Sequence, residues 1–242
     1  MSLSADNNTE KGILFGTICG ATLGQYALGK TVSVFMKTND KDVSKIKSAV
    51  ENILKETKLS QKGVYIDDLS EIKKTTCDKW PEKFVKGKCA AFAPFENSIG
   101  INMKKIPLAV FHEIGHAHNF NNRILNRIKI LDPILTGVSI VAAAFPLFFN
   151  KTPDWEKENR NFAEKIKDGI YENAPIIAAL AYAPSVYEEG IASIKASRFA
   201  KPALKPILYN KMIKGNILAF STYVLGLIST TTAAIFAQKV NE

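Results

Sequence analysis

The sequence predicts a mainly α protein in which membrane-spanning helices carry a small α+β portion. Three observations predict this class. Long stretches lack charge, the lysine-rich region between the first two of them repeats apolar residues at helical spacing, and two short runs in that region read as strands. Of 242 residues, 46% are hydrophobic and 23% charged, which excludes a disordered tail or a fibrous repeat. A mean hydropathy of −0.02 conceals how strongly polar and apolar residues are segregated.

The chain reads as a single unit over 1–242, without internal repeats or low-complexity tracts. Gly12 to Gly29 carries no charge, and the apolar character resumes after Lys30 to Met36, giving a first span over 12–36. Gly12, Gly16, Gly20 and Gly24 fall on one face, the spacing that lets membrane helices approach closely. The leader has Asp6, Glu10 and one lysine, so it lacks the basic start of a secretory signal and reads as an uncleaved anchor. Residues 37–130 form the water-soluble part. There Val43, Ile46, Val50, Ile53 and Leu54 predict an amphipathic helix, and Gly63–Ile66 and Ile99–Met103 predict short strands. Thr75 to Pro94 shows no period and reads as loop. A second span is expected over 131–149, interrupted only by Asp132. The apolar run 173–187, with Pro175 and Pro184 inside, is short enough to be either a span or a re-entrant segment. After a polar stretch over 188–215, residues 217–237 are free of charge and read as the last span.

The basic residues follow the same division. Residues 36–130 hold 18 of the 32 Lys and Arg, and 188–215 hold six more, whereas 150–173 holds five and each tail one. An excess of Lys and Arg marks the cytoplasmic side. Four spans would place both basic regions there and both termini outside, making this an integral membrane protein with its soluble part in the cytoplasm. The net charge of +9 is therefore no argument for nucleic acid. Over 36–105, 15 basic and ten acidic residues are interspersed rather than arranged as a stripe, and a nucleic-acid partner is not expected.

The chemistry concentrates in Pro107–His116, which contains His112-Glu113-Ile114-Gly115-His116. Residues four apart share a helix face, so His112 and His116 can aim both imidazoles at one zinc ion. Glu113 then stands where it can take a proton from a water on that ion. The uncharged neighbours Val110, Phe111, Ile114 and Gly115 suit a helix buried beside a metal. His118 is about 200° round the helix from His116, which suits a surface or hydrogen-bonding role rather than ligation. Zinc in a catalytic site needs a third protein ligand and an open fourth position. No further histidine exists. Cys19 lies in an apolar span, and Cys77 and Cys89 stand in an irregular stretch. A carboxylate is the natural choice: Glu188 and Glu189 follow the third apolar run on the expected side, Asp132 competes from the start of a span, and Glu172 falls on the wrong side.

His112–His116, followed after an apolar hairpin by Glu189-Gly190-Ile191-Ala192-Ser193, resembles the membrane-embedded gluzincin peptidases, with the YugP-type zinc metallopeptidases nearest and the HtpX-type and CAAX-prenyl-protease groups more distant. The resemblance runs along nearly the whole chain, although only the two motifs are specific. It implies a zincin-like peptidase portion and assigns the third zinc ligand to Glu189 rather than Glu188. It places Ser193 where the wider family carries an aspartate that orients a ligand histidine; a serine orients more weakly. It also implies that Asn97–Met103, with Ile99, Ile101 and Asn102, forms an edge strand along which an extended peptide pairs.

These features give the expectation of a membrane-bound zinc endopeptidase acting on peptide or protein substrates. Zn2+ would be held by His112, His116 and Glu189, with Glu113 as general base passing its proton on to the leaving amine. Tyr182, Tyr187, Tyr209, Arg198 and Asn119 are the candidate donors to an oxyanion. The alternative is a non-catalytic membrane scaffold with structural zinc or none, supported by the glycine face and the serine at 193.

Overall fold

A computed structural model describes residues 3–72 and 80–241. Cys77 and the first part of the stretch read as loop lie outside the described residues. Among the described residues the chain is mostly helical, about 77%, with one three-stranded sheet. It divides into two compact units.

The first unit comprises Ala27–Lys129 and Tyr187–Ser221. Its amphipathic helix α2 (Asp40–Glu56) is capped by Asn39, whose side chain accepts from the Asp42 amide at 2.9 Å, with Asp40 and Asp42 in the first turn and Lys55 in the last. Its buried residues are Val43, Ile46, Val50, Ile53 and Leu54, the same five that the spacing singles out. At roughly 2 kcal/mol for each buried side chain, their gross contribution is on the order of 10 kcal/mol. Strands β1 (Tyr65–Asp68), β2 (Ala91–Ala93) and β3 (Ser98–Ile101) pair in the order β1-β3-β2, with β1 parallel and β2 antiparallel to β3. A short helix α3 (Glu82–Val85) precedes β2. Gly100 has no side chain because Trp80 lies against it; a Cβ there would overlap the indole ring, whose Nε1 donates to Asp67 at 2.8 Å. Pro107 opens the turn that leads into α4 (Val110–Phe120), where Val110, Phe111 and Ile114 are wholly buried.

The sheet corrects one expectation. Residues Ile99, Ile101 and Asn102 are not on an edge: β3 is the central strand, paired on both sides, and Ile99 and Ile101 are fully buried. Asn102 follows β3 and is occupied locally, donating to the Val85 carbonyl at 2.7 Å and accepting from the Lys105 amide at 3.0 Å. The physical reason is β2, which lies in the stretch read as loop. Three residues, Ala91-Phe92-Ala93, are too few to show a period, yet they pair along β3 and take the outer position.

The second unit comprises Met1–Tyr26, Ile130–Val186 and Thr222–Glu242. It is built from stretches of α1 (Leu3–Phe35), α5 (Arg123–Phe148), α6 (Phe162–Ala203) and α7 (Pro206–Val240). Asn161 and Glu164 start α6 by a reciprocal capping box: the Asn161 amide donates to Glu164 at 2.8 Å and the Glu164 amide to Asn161 at 2.9 Å. The run 173–187 is not an isolated short segment but part of this 42-residue helix, with Pro175 and Pro184 accommodated inside it. The buried cluster of this unit is made of Ala142, Ala143, Ala174, Ala178 and Ala234.

Among the described residues two helices, α5 and α7, are long and apolar enough to cross a membrane, and they contain the runs 131–149 and 217–237 almost entirely. Helix α1 is not one of them, since its glycines and Gln25 dilute its apolar character. The expected glycine contact forms at one of the four positions: a Cβ on Gly24 would meet Leu225 at 3.2 Å, while Gly12, Gly16 and Gly20 have nothing within 4 Å.

Candidate metal centre

The centre lies within the first unit, between α4 and the part of α6 that follows Tyr187. A close approach of the two helices makes it. A Cβ on Gly115 would overlap the carbonyl oxygen of Ala192, so the glycine between the two histidines lets the α6 backbone come down onto α4. On α6, Ala192, Ala196 and Ala200 recur every fourth residue and are wholly buried, giving the smooth face that this approach requires. The small residues in both motifs thus have a packing reason as well as a sequence one.

The approach brings Glu189 between the two imidazoles. His112 Nε2 and His116 Nε2 lie 3.0 Å apart, Glu189 Oε2 lies 3.1 Å from His112 Nε2, and Glu189 Oε1 lies 3.4 Å from His116 Nε2. All three side chains are buried, and the ligand atoms fall within 4.8 Å of one another. A tetrahedral zinc with bonds of 2.0–2.1 Å has ligand–ligand edges of about 3.3 Å. The donor set of two nitrogens and one carboxylate, at these separations, fits such an ion. Asp132, the competing carboxylate, is instead bonded to Ser185 in the other unit, and Glu172 pairs with Lys151 at 2.6 Å.

The surroundings orient the ligands unequally. His116 Nδ1 donates to Glu188 Oε1 at 2.9 Å, which orients the ring so that Nε2 faces the cage and, once deprotonated, could ligate a metal. Glu188 is held in turn by Asn119, whose Nδ2 donates to its carboxylate at 3.0 Å and its carbonyl at 3.2 Å. His112 Nδ1 has only Ser193 Oγ, at 3.4 Å. The sequence weighed Glu188 as a ligand and did not find it as an orienting group. Its signal was the adjacent acidic pair, since neighbours on a helix point about 100° apart and can serve successive layers of one site.

Burial opposes a charged His116, yet Glu189 and Glu188 outweigh it and push its pKa up to about 10. Burial likewise opposes ionised Glu188 and Glu189, and the imidazoles beside them hold both below the usual carboxylate range. The pocket therefore carries a negative potential that favours a cation. Glu113 sits on the same helix, its Oε2 accepting from the Phe92 amide of β2 at 2.8 Å. His118 lies outside the cage against Phe199, with ring centroids 5.6 Å apart. Of the expected oxyanion donors, Asn119 is committed to Glu188, Tyr187 and Arg198 are exposed, Tyr209 packs on the core, and Tyr182 belongs to the other unit, against Gly226. Burial pushes the Cys89 thiol up, so it stays protonated at neutral pH. Comparison with protein-family models, with curated proteins and with solved structures finds no match for this chain.

Proposed function

We propose that this protein is a membrane-associated, zinc-dependent endopeptidase. The observation that carries the reading is the buried triangle of His112, His116 and Glu189, with Glu113 projecting from the same helix and fixed by a strand edge. A zinc ion bound by those three residues would supply Lewis acidity, acidifying a water and polarising a peptide carbonyl. Phe92 holds one oxygen of Glu113, leaving Oε1 to accept the proton of the attacking water and deliver it to the leaving amine. Glu188 and Asn119 would hold the His116 ring in one orientation throughout. The outer side of β2, rather than β3, is the edge on which an extended substrate would pair.

Replacing Glu113 by Gln tests the reading. It keeps shape and the Phe92 hydrogen bond but removes the base. Peptidase activity of the purified protein should fall by a factor of at least about 10² to 10⁴ while zinc stoichiometry stays at one. Unchanged hydrolysis by the Glu113→Gln protein overturns this mechanism, and absence of bound zinc in the unaltered protein overturns the cage.

A further inference from the structure

Lys129 stands against the cage from α5, its ammonium 3.5 Å from Glu188 Oε2 and 4.0 Å from Glu189 Oε1. Neither ligation nor proton transfer requires a cation there. Three carboxylates, Glu113, Glu188 and Glu189, are buried in this region, and a net buried charge is costly. With both imidazoles neutral, the carboxylates and Lys129 sum to two negative charges, which a divalent cation cancels. Without the lysine, the same ion would leave one carboxylate charge uncompensated.

We propose that Lys129 is a positioning residue that sets the charge of the metal cage by drawing electron density away from Glu189. This rests on the metal-cage part of the reading above and is independent of peptide hydrolysis. Lys129 makes Glu189 a poorer donor and repels the ion it helps to enclose. It therefore lowers metal affinity while keeping a bound divalent ion electrophilic. The sign is diagnostic, because a lysine that merely braced the two glutamates would raise affinity.

The test is zinc affinity of the full-length protein in detergent, measured by competition with a chromogenic chelator. Lys129→Met, which keeps the aliphatic stem, should bind zinc about tenfold more tightly, because a repulsive unit charge near a divalent ion has been removed. Lys129→Arg should stay within about threefold of the unaltered protein. Weaker or unchanged affinity in Lys129→Met overturns the proposal, and Lys129→Gln carries the same test if the methionine variant does not fold. Misfolding of both neutral variants with a sound arginine variant also overturns it, in favour of a purely structural role. Absence of zinc binding by the unaltered protein would be the failure of the cage itself, a result distinguishable from all of these.

Discussion

At the scale of single residues, the cage is supported asymmetrically, and that asymmetry can be measured. His116 is oriented by a buried carboxylate at 2.9 Å, His112 by a hydroxyl at 3.4 Å. Charge-assisted hydrogen bonds are shorter and roughly twice as strong as neutral ones. The Glu188 bond should therefore matter far more than the Ser193 bond. Glu188→Ala is expected to weaken zinc binding about 10- to 100-fold, the range for losing an outer-shell partner. Ser193→Ala should cost no more than about threefold. Chelator competition on the two variants checks the order. Equal losses would mean that the longer contact carries as much orientation as the shorter. The weak hydroxyl contact at His112 is then not a defect of the whole support, because Glu188, the neighbour of the candidate ligand Glu189, supplies a carboxylate to the other histidine.

At the scale of elements, the site depends on how closely α4 and α6 approach, and Gly115 opposite Ala192 sets that distance. A methyl group there meets backbone, which cannot turn aside as a flexible side chain would. Gly115→Ala is expected to cost about 1–3 kcal/mol, the usual penalty for overpacking a close contact. It should also pull Glu189 away from the imidazoles. Thermal unfolding in excess chelator measures the first effect, and zinc affinity the second. A variant that unfolds as the unaltered protein does would mean the helices separate freely. The same scale shows what the sequence could and could not disclose. Helix α2 and the helix of His112 and His116 were legible, because their apolar residues and ligands recur with the period of the helix itself. The order of the sheet was not, since β2 is three residues long and strand order is a long-range property. The extent of α6 was not legible either, since it runs on both sides of the apolar stretch 173–187 and through Pro175 and Pro184. Both paired glutamates stand out in the sequence, where only the resemblance favours Glu189 as the ligand; that Glu188 meets His116 Nδ1 follows from helix phase, which the packing against α4 fixes.

At the scale of the whole molecule, the two units bury different kinds of side chain. The unit holding the sheet has a core of large residues, among them Ile99, Ile101, Phe111 and Met212, as proteins in water do. The other unit buries alanines and turns its large apolar residues outward, with Ile134 63%, Val141 65% and Leu180 69% exposed. Helices pack through small residues when lipid, not water, covers the outside, because no apolar area needs to be hidden between them. This distribution supports a bilayer around α5 and α7 more strongly than their length alone. Val141 separates the two environments. In water an exposed valine can become arginine with a change within about 0.5 kcal/mol. At the centre of a membrane-spanning helix the same arginine costs about 2.5–3.5 kcal/mol on the insertion scale. Val141→Arg should therefore lower the fraction retained in membranes after an alkaline carbonate wash, whereas Glu158→Arg, in the polar stretch between α5 and α6, should not. An unaltered protein released by the wash, or a Val141→Arg protein retained as fully as the parent, would place the alanine-packed helices in water and remove the ground for membrane association.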